Sequence, residues 1–336
     1  YSPADGAEVM KTFHDPADVP AAFGPSVVAI GKFDGVHSGH RAVLERARVH
    51  SSGGAAVVAV TFDRNPLSIL MPQRCPESLL GNAMKLRLLA ETGIDATLML
   101  RFDAALAELS PREFVRRILV DSLHAQLVLV GEDFRFGHRG EGNPELLAEL
   151  GREYGFVVDV VADVRSFDAD RRVSSTWIRE LITVGDVATA AKLLGRSHSV
   201  TGEVVHGLKR GRELGFPTAN LSVHLEGFVP ADGIYAGWLV DEGSADGLRS
   251  GTRYPAAISV GTNPTFDDVH RRQVEAYVLD ETDIDLYGHH VEVQFVERIR
   301  GMVAFEGIPA LIDQMTQDVA RVRTVLAEPL SWDWSV

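Results

Sequence analysis

Apolar residues return along this chain in two rhythms. In the first half, short apolar runs alternate with stretches whose apolar positions come back every three or four residues. The run Val27–Ile30 is rich in β-branched residues and reads as a strand, as do Ala55–Phe62, Ala96–Leu100, Leu127–Val130 and Phe156–Val161. Ala55–Phe62 is almost unbroken in its apolarity, as a strand covered on both faces of a parallel sheet would be. Between these runs, Arg41–His50 and Asn82–Thr92 carry helical periodicity. Ser110-Pro111-Arg112-Glu113 is a capping box with proline in the first turn, so a helix should run from there to about Val120. The hydroxyls Ser174, Ser175 and Thr176 precede another helix and suit its N-cap. Strand–helix alternation from 27 to 182 predicts a doubly wound, Rossmann-like α/β domain.

The rhythm then changes. Asp186–Leu194 reads as a short helix and Gly195–His198 as a linker. Beyond them the chain shows short strands punctuated by glycine turns, which predicts a separate antiparallel β-barrel domain. Ile308–Leu326 is amphipathic at helical spacing and should pack on that barrel. The expected organisation is one domain over 1–186 and a second over 187–336, without internal repeats or low-complexity segments. Trp332 and Trp334 read as a terminal packing anchor.

Composition narrows the setting. The 336 residues are 45% hydrophobic, with mean hydropathy close to zero, as in a soluble globular protein. A net charge of −14 argues against a general nucleic-acid-binding role, which would favour a basic face. Cys75 is the single cysteine, so no intrachain disulfide forms and a reducing cytoplasm is the expected compartment. No apolar run reaches membrane-spanning length, and the N-terminus lacks a signal-peptide pattern, so no membrane partner is expected. Residues Tyr1–Val9 read as an extension ahead of a candidate start at Met10.

The chemistry concentrates in two stretches. In the first, the strand ending at Ile30 runs into Gly31, Phe33, Asp34, Gly35, His37, Gly39 and His40, and a helix follows. Glycines let backbone approach a ligand closely, and a helix N-terminus points N–H groups at an anion. His37 and His40 can both face a phosphate from that turn. Two other readings stand beside this one: an ordinary glycine turn with surface histidines, and a zinc site, which would need further ligands from a chain with one cysteine. Gly31-x-Phe33-Asp34-Gly35-x-His37-x-Gly39-His40 resembles the signature of bacterial FAD synthetases, within the larger class of His-x-Gly-His nucleotidylyltransferases.

Later segments extend the resemblance. Phe62-Asp63-Arg64-Asn65-Pro66 stands where that family usually has Phe-Asp-Pro-His-Pro, a departure at 64 and 65. Asn65 is equally readable as part of a strand-ending turn. Gly131-x-Asp133-Phe134-x-Phe136-Gly137 matches a loop the family uses around the flavin, and its phenylalanines are otherwise readable as core anchors. The resemblance thus implies flavin contacts for Asn65, Asp133, Phe134 and Phe136. Ser174-Ser175-Thr176-x-Ile178-Arg179 is similar to a second nucleotidylyltransferase signature, which implies that Ser175, Thr176 and Arg179 hold phosphates. Arg179 is expected in the first turn of its helix, where the dipole disfavours a cation unless an anion arrives.

The second stretch spans Gly207, Lys209, Arg210, Gly211, Arg212, Gly215, Pro217, Thr218, Ala219 and Asn220. It is a basic, glycine-rich island in an acidic chain, suited to phosphates. Thr218 and Asn220 alternate by two, so both side chains leave one face of an extended segment, and an oxygen pair of that kind suits Mg²⁺ bound with ATP. A hairpin with solvated basic residues is the alternative. The stretch is similar to the riboflavin kinase signature, and the blocks 230–237, 259–266, 287–288, 291–295 and 298–300 continue the match. By that resemblance Glu275 is the base for the ribityl hydroxyl; taken alone it could be an edge-strand glutamate facing water. The resemblance as a whole implies riboflavin, FMN and ATP as small-molecule substrates, phosphorylation in the second domain and adenylylation in the first. Two alternatives are a kinase with an impaired N-terminal domain and a non-catalytic flavin-binding protein.

Overall fold

The computed structural model describes residues 9–51, 53–166, 170–206, 216, 218–244, 251–262, 272–281 and 284–328. The chain divides into two compact units: residues 1–78 with 82–174, and residues 79–81 with 175–336.

The first unit is a parallel sheet with helices. Its strands are β1 Lys11–Phe13, β2 Ser26–Ile30, β3 Ala56–Phe62, β4 Ala96–Leu100, β5 Ala125–Gly131 and β6 Val157–Val161, in the spatial order β1-β4-β3-β2-β5-β6. Every residue of β2 and β4 is buried, as are the five central residues of β3, which is covered on both faces as its nearly unbroken apolar run predicted. Val28, Ile30, Val58, Val60, Leu98 and Leu100 share one core with Phe114, Ile118 and Leu119. Helices α1 Ser38–His50, α2 Leu67–Leu70, α3 Asn82–Ala90, α4 Ala104–Ala107, α5 Pro111–Phe114 and α6 Pro144–Tyr154 complete the unit. The Ser110–Glu113 capping box forms as expected, with Ser110 N–H donating to Glu113 at 3.1 Å and Glu113 N–H to Ser110 Oγ at 3.2 Å. The helix it opens does not stop near Val120. It widens into π-type turns over Val115–Ser122, closed by Leu123 N–H on the Ile118 carbonyl.

Strand order fixes where a ligand can sit. From β2 the chain moves to β3 and β4 on one side, then returns to place β5 on the other side of β2. The carboxyl ends of β2 and β5 therefore flank the topological switch point, where open α/β sheets form their crevice.

The second unit opens with α7 Ser175–Val184 and α8 Val187–Leu194, which pack together. Gly195 ends α8 in the left-handed conformation at φ 67°, and the chain enters the barrel at once. His198, expected in a linker, is the first residue of β7 and is buried. The strands β7 His198–Val205, β8 Thr218–Leu221, β9 Gly233–Ser244, β10 Arg253–Thr262, β11 Arg272–Val278 and β12 His289–Arg300 close in the order β10-β11-β8-β7-β12-β9, antiparallel throughout. Val274, Ala276, Val278, Ile258, Val260, Leu221, Tyr235, Val293 and Phe295 fill the interior. Helix α9, Ile308–Ala327, lies on the outside, with Val322 and Val325 against Ala236, Leu279 and Val296.

Candidate active sites

In the first unit the turn after β2 bends through unusual backbone. Phe33, Gly35 and Val36 have φ of 47°, 89° and 41°. Positive φ is uncommon for a phenylalanine and a true outlier for a β-branched valine, costing on the order of 1–3 kcal/mol each. Both side chains are buried, which locks the conformation. The turn delivers His37 to the N-cap of α1, where its Nδ1 accepts the His40 N–H at 3.4 Å. The two imidazoles then stack, ring centres 3.7 Å apart and planes 17° off parallel, with Phe33 against His40 at 5.2 Å. Gly39 has to be small here: a Cβ would lie 3.2 Å from His37 Nδ1 and Cε1.

Neighbouring strand ends supply the rest. Thr61 Oγ1 donates to the Lys32 carbonyl at 3.0 Å, tying β3 to the histidine turn. At Asp63 burial acts to raise the carboxyl pKa, but the Arg64 fork and the Phe102 N–H hold it below the usual carboxylate range. Asn65 Oδ1 accepts the Leu67 N–H at 3.0 Å, the strand-ending turn foreseen for it. On the β5 side, Asp133 pairs with Arg172 at 3.0 Å. Phe134 and Phe136 stack at 5.4 Å, and Phe136 also meets Phe114 inside the core. Phe136 is therefore a core anchor, and Phe134, half-buried, is the ring nearer the surface.

Ser175 and Thr176 open α7, which is counted with the second unit. Because the helix begins at Ser175, Arg179 lies beyond its first turn, and the dipole conflict expected there is weaker.

The barrel site forms on the outer surface of β8 and β11. Val274, Ala276 and Val278 point inward, so the alternation sends Gln273, Glu275 and Tyr277 outward. Register sets Glu275 opposite Asn220 and Tyr277 opposite Thr218. The polar groups form one chain: Gln273 Nε2 donates to Asn220 Oδ1 at 3.4 Å, Asn220 Nδ2 to Thr218 Oγ1 at 3.3 Å, and Thr218 to the Glu275 carboxylate. Burial raises the Glu275 pKa above the usual carboxylate range, and the Thr218 hydroxyl offsets only part of that. Phe216 stands edge-on to Tyr277 at 5.2 Å. Strand β11 is paired on both sides, by β10 and β8, so Glu275 is not on an edge. Gly207, Lys209, Arg210, Gly211, Arg212, Gly215 and Pro217 lie outside the described residues, as do residues 263–266 and the two terminal tryptophans.

Comparison with known proteins decides the family. Residues 20–177 match the family model described as FAD synthetase, and residues 194–326 that described as riboflavin kinase. The bifunctional riboflavin kinase/FMN adenylyltransferase of Escherichia coli K12 is 35% identical over 88% of this chain and 91% of its own. The protein of the same name from Listeria monocytogenes is 34% identical over 90% and 93%. The chain belongs to the bifunctional riboflavin kinase/FMN adenylyltransferase family. The crystal structure of a Streptococcus pneumoniae protein described as a macrolide-efflux protein shares the architecture, at TM-score 0.80 and 30% identity over 94% of this chain and 99% of that one. That description concerns the other protein; no described helix here is long and apolar enough to cross a membrane.

Within this family assignment, sequence reasoning overlooked two residues beside the candidate sites. Gln273 was detectable as one more member of the outward alternation with Glu275. Lys85, buried on α3, shares its face with Leu88 and Leu89, and a lone lysine on an apolar stripe was the available signal.

Proposed function

We propose that the chain makes FAD from riboflavin in two ATP-dependent steps, one on each unit. In the barrel, the 5′-hydroxyl of riboflavin attacks the γ-phosphorus of ATP. The bond to the β,γ-bridging oxygen breaks, ADP leaves, and Glu275 takes the hydroxyl proton. Burial suits Glu275 to this role, because a carboxylate raised above its ordinary range is a better proton acceptor. Thr218 and Asn220 offer neutral oxygens beside one carboxylate, a donor set that fits a hard divalent cation held mainly by phosphates. Mg²⁺ is the ion we assign there; when bound with ATP it draws charge from the phosphate oxygens. The basic stretch with Lys209 and Arg212 is assigned to the same nucleotide on the sequence resemblance.

In the first unit, a phosphate oxygen of FMN attacks the α-phosphorus of a second ATP and pyrophosphate leaves. His37 and His40 stabilise the charge that gathers on the α-phosphate. Gly31, Gly35 and Gly39 allow backbone and rings to come close, and the Asp34 turn sets the stacked pair in place. Phe134 offers its ring to the flavin, and Asp133 and Asn65 border that crevice. Ser175, Thr176 and Arg179 are assigned to the departing pyrophosphate on the sequence resemblance alone. A cytoplasmic setting accords with the lone thiol and the small soluble substrates.

The observation that carries the reading is the meeting of Glu275, Thr218 and Asn220 in one hydrogen-bonded chain, though they are distant in sequence. Chromatography of flavin products tests it. His37→Ala with His40→Ala should abolish FAD formation and leave FMN formation nearly intact. Glu275→Ala should stop FMN formation from riboflavin and leave FAD formation from supplied FMN. Equal loss of both activities in folded variants would overturn the assignment. The departures at Arg64 and Asn65, the motive for a kinase-only reading, are absorbed locally by Asp63 and the Leu67 amide. FAD formation from FMN and ATP by the unaltered chain separates that reading from ours.

A further inference from the structure

The segment Phe228–Asp232 leads into β9 and crosses one end of the barrel, its carbonyls held by side chains of four strands. His198 of β7 donates to Phe228, Arg272 of β11 to Val229 at 3.1 Å, Tyr235 of β9 to Ala231, and Arg298 of β12 to Asp232. The Asp232 carboxylate adds a further tie. Arg272 Nε donates to its Oδ1 at 3.0 Å, and Thr262 Oγ1 to its Oδ2 at 3.0 Å. Thr262 ends β10, Arg272 begins β11, and the two are register partners. One carboxylate therefore grips both sides of the same rung.

The next rung bears on the chemistry. It pairs Gly261 with Gln273, whose amide opens the hydrogen-bonded chain through Asn220 to Thr218. Asn220 in turn is the register partner of Glu275. The first link of that chain is long, 3.4 Å, so a small displacement of Gln273 breaks it. Strand ends open at the least cost, and Arg272 is the first residue of β11. Charge alone does not account for the arrangement. The Asp232 and Arg272 side chains are 38% and 36% exposed, where water screens an ion pair and leaves it little net worth. What the carboxylate supplies is shape: two acceptor oxygens at a fixed separation, one for each strand. We propose that Asp232 is a positioning residue of the phosphoryl-transfer site: it fixes the first rung of β11 and, through it, the Gln273 amide that orients Asn220 and Thr218 beside Glu275.

The proposal rests on the riboflavin-phosphorylation reading of the barrel, and its test separates the two. Asp232→Asn keeps both contacts, its amide oxygen accepting from Arg272 and its nitrogen donating to the Thr262 hydroxyl. Asp232→Ala removes both. In the full chain the alanine variant should lose about tenfold or more in kcat for FMN formation, with the KM values for riboflavin and ATP within about threefold of the parent. The asparagine variant should keep its kcat within about threefold. Gln273→Ala should lower kcat as well, and adding Asp232→Ala to it should cost no more than about twofold further, because the two act along one route. Urea unfolding of each variant, with FAD formation from supplied FMN, checks that both units are folded. Should the alanine variant fail to fold, Thr262→Val removes one of the two grips at nearly constant shape and should lower kcat by about threefold or more. A parental kcat in Asp232→Ala, or in Thr262→Val where that variant has to stand in, would overturn the proposal. So would raised KM values with kcat unchanged, an asparagine variant as impaired as the alanine one, or losses that multiply in full in the double variant. An unaltered chain that makes no FMN from riboflavin would instead sink the phosphorylation reading.

Discussion

At Glu275 one carboxylate sets stability against chemistry. Burial raises its folded pKa, so between the ordinary carboxylate range and that raised value the folded chain binds a proton the unfolded chain lacks. Folding stability consequently falls as pH rises through this window, and the ionised group is a cost at neutral pH. Glu275→Gln should therefore raise the unfolding midpoint at pH 7 to 8, with the gain fading toward pH 4, while FMN formation drops by on the order of 10²–10⁴-fold. Urea unfolding across pH and a riboflavin phosphorylation assay check both halves. In the unaltered chain, phosphorylation should climb with pH as Glu275 ionises. His198 works with the opposite sign. Burial pushes its pKa down to about 4, with Arg196 adding to that and its hydrogen bond to the Phe228 carbonyl opposing it. From about pH 6.5 down to about 4 the unfolded chain takes up a proton that the folded imidazole refuses, removing about 3 kcal/mol in all. His198→Gln should flatten that acid loss in an unfolding series from pH 7 to 4.

Among the elements, α9 is held by more than its apolar stripe. Arg300 of β12 forks onto Asp318 of the helix at 2.6–3.0 Å, Gln314 donates to the same carboxylate at 3.0 Å, and both charges are largely buried. Removing one partner leaves the other charge uncompensated. Asp318→Asn should destabilise the barrel by about 3–5 kcal/mol, and joint replacement by Arg300→Met and Asp318→Leu should recover most of the loss in equilibrium unfolding. The stripe itself was legible: the sequence pattern predicted 308–326 and the helix spans Ile308–Ala327. So were the parallel strands, because a run such as Val27–Ile30 buried on two faces leaves no polar position to blur it. The histidine turn could be read because strand, glycines and helix follow one another within a single stretch. Lys85 and the Arg300–Asp318 pair were hidden, since each depends on partners distant in sequence. The failures were local: His198 looked like linker because its buried neighbours are distant in sequence, and Arg179 slipped past the first turn because the helix opens at Ser175, within the hydroxyls that were expected to precede it.

For the whole molecule, the two units carry separate chemistry on one acidic chain of net charge −14. Each site must therefore build its own local welcome for a polyanion, a role the proposed reading gives in the second unit to the basic stretch with Lys209 and Arg212. If FMN leaves the barrel before it is adenylylated, mixing the His37→Ala/His40→Ala variant with the Glu275→Ala variant should restore FAD synthesis from riboflavin, although neither makes it alone. Flavin chromatography over time would register the regained product after a lag while free FMN accumulates. Strand β11 ties this chemistry to construction in a further way. Its residues alternate between packing the barrel and facing outward beside Thr218 and Asn220, so deleting any one of them midway would turn every later side chain to the wrong face. Glu275 would enter the hydrocarbon interior and Val274 or Ala276 would take its place outside. Length changes in this strand should thus be purged in any library of functional variants, while substitutions at Gln273 or Tyr277 survive in graded form.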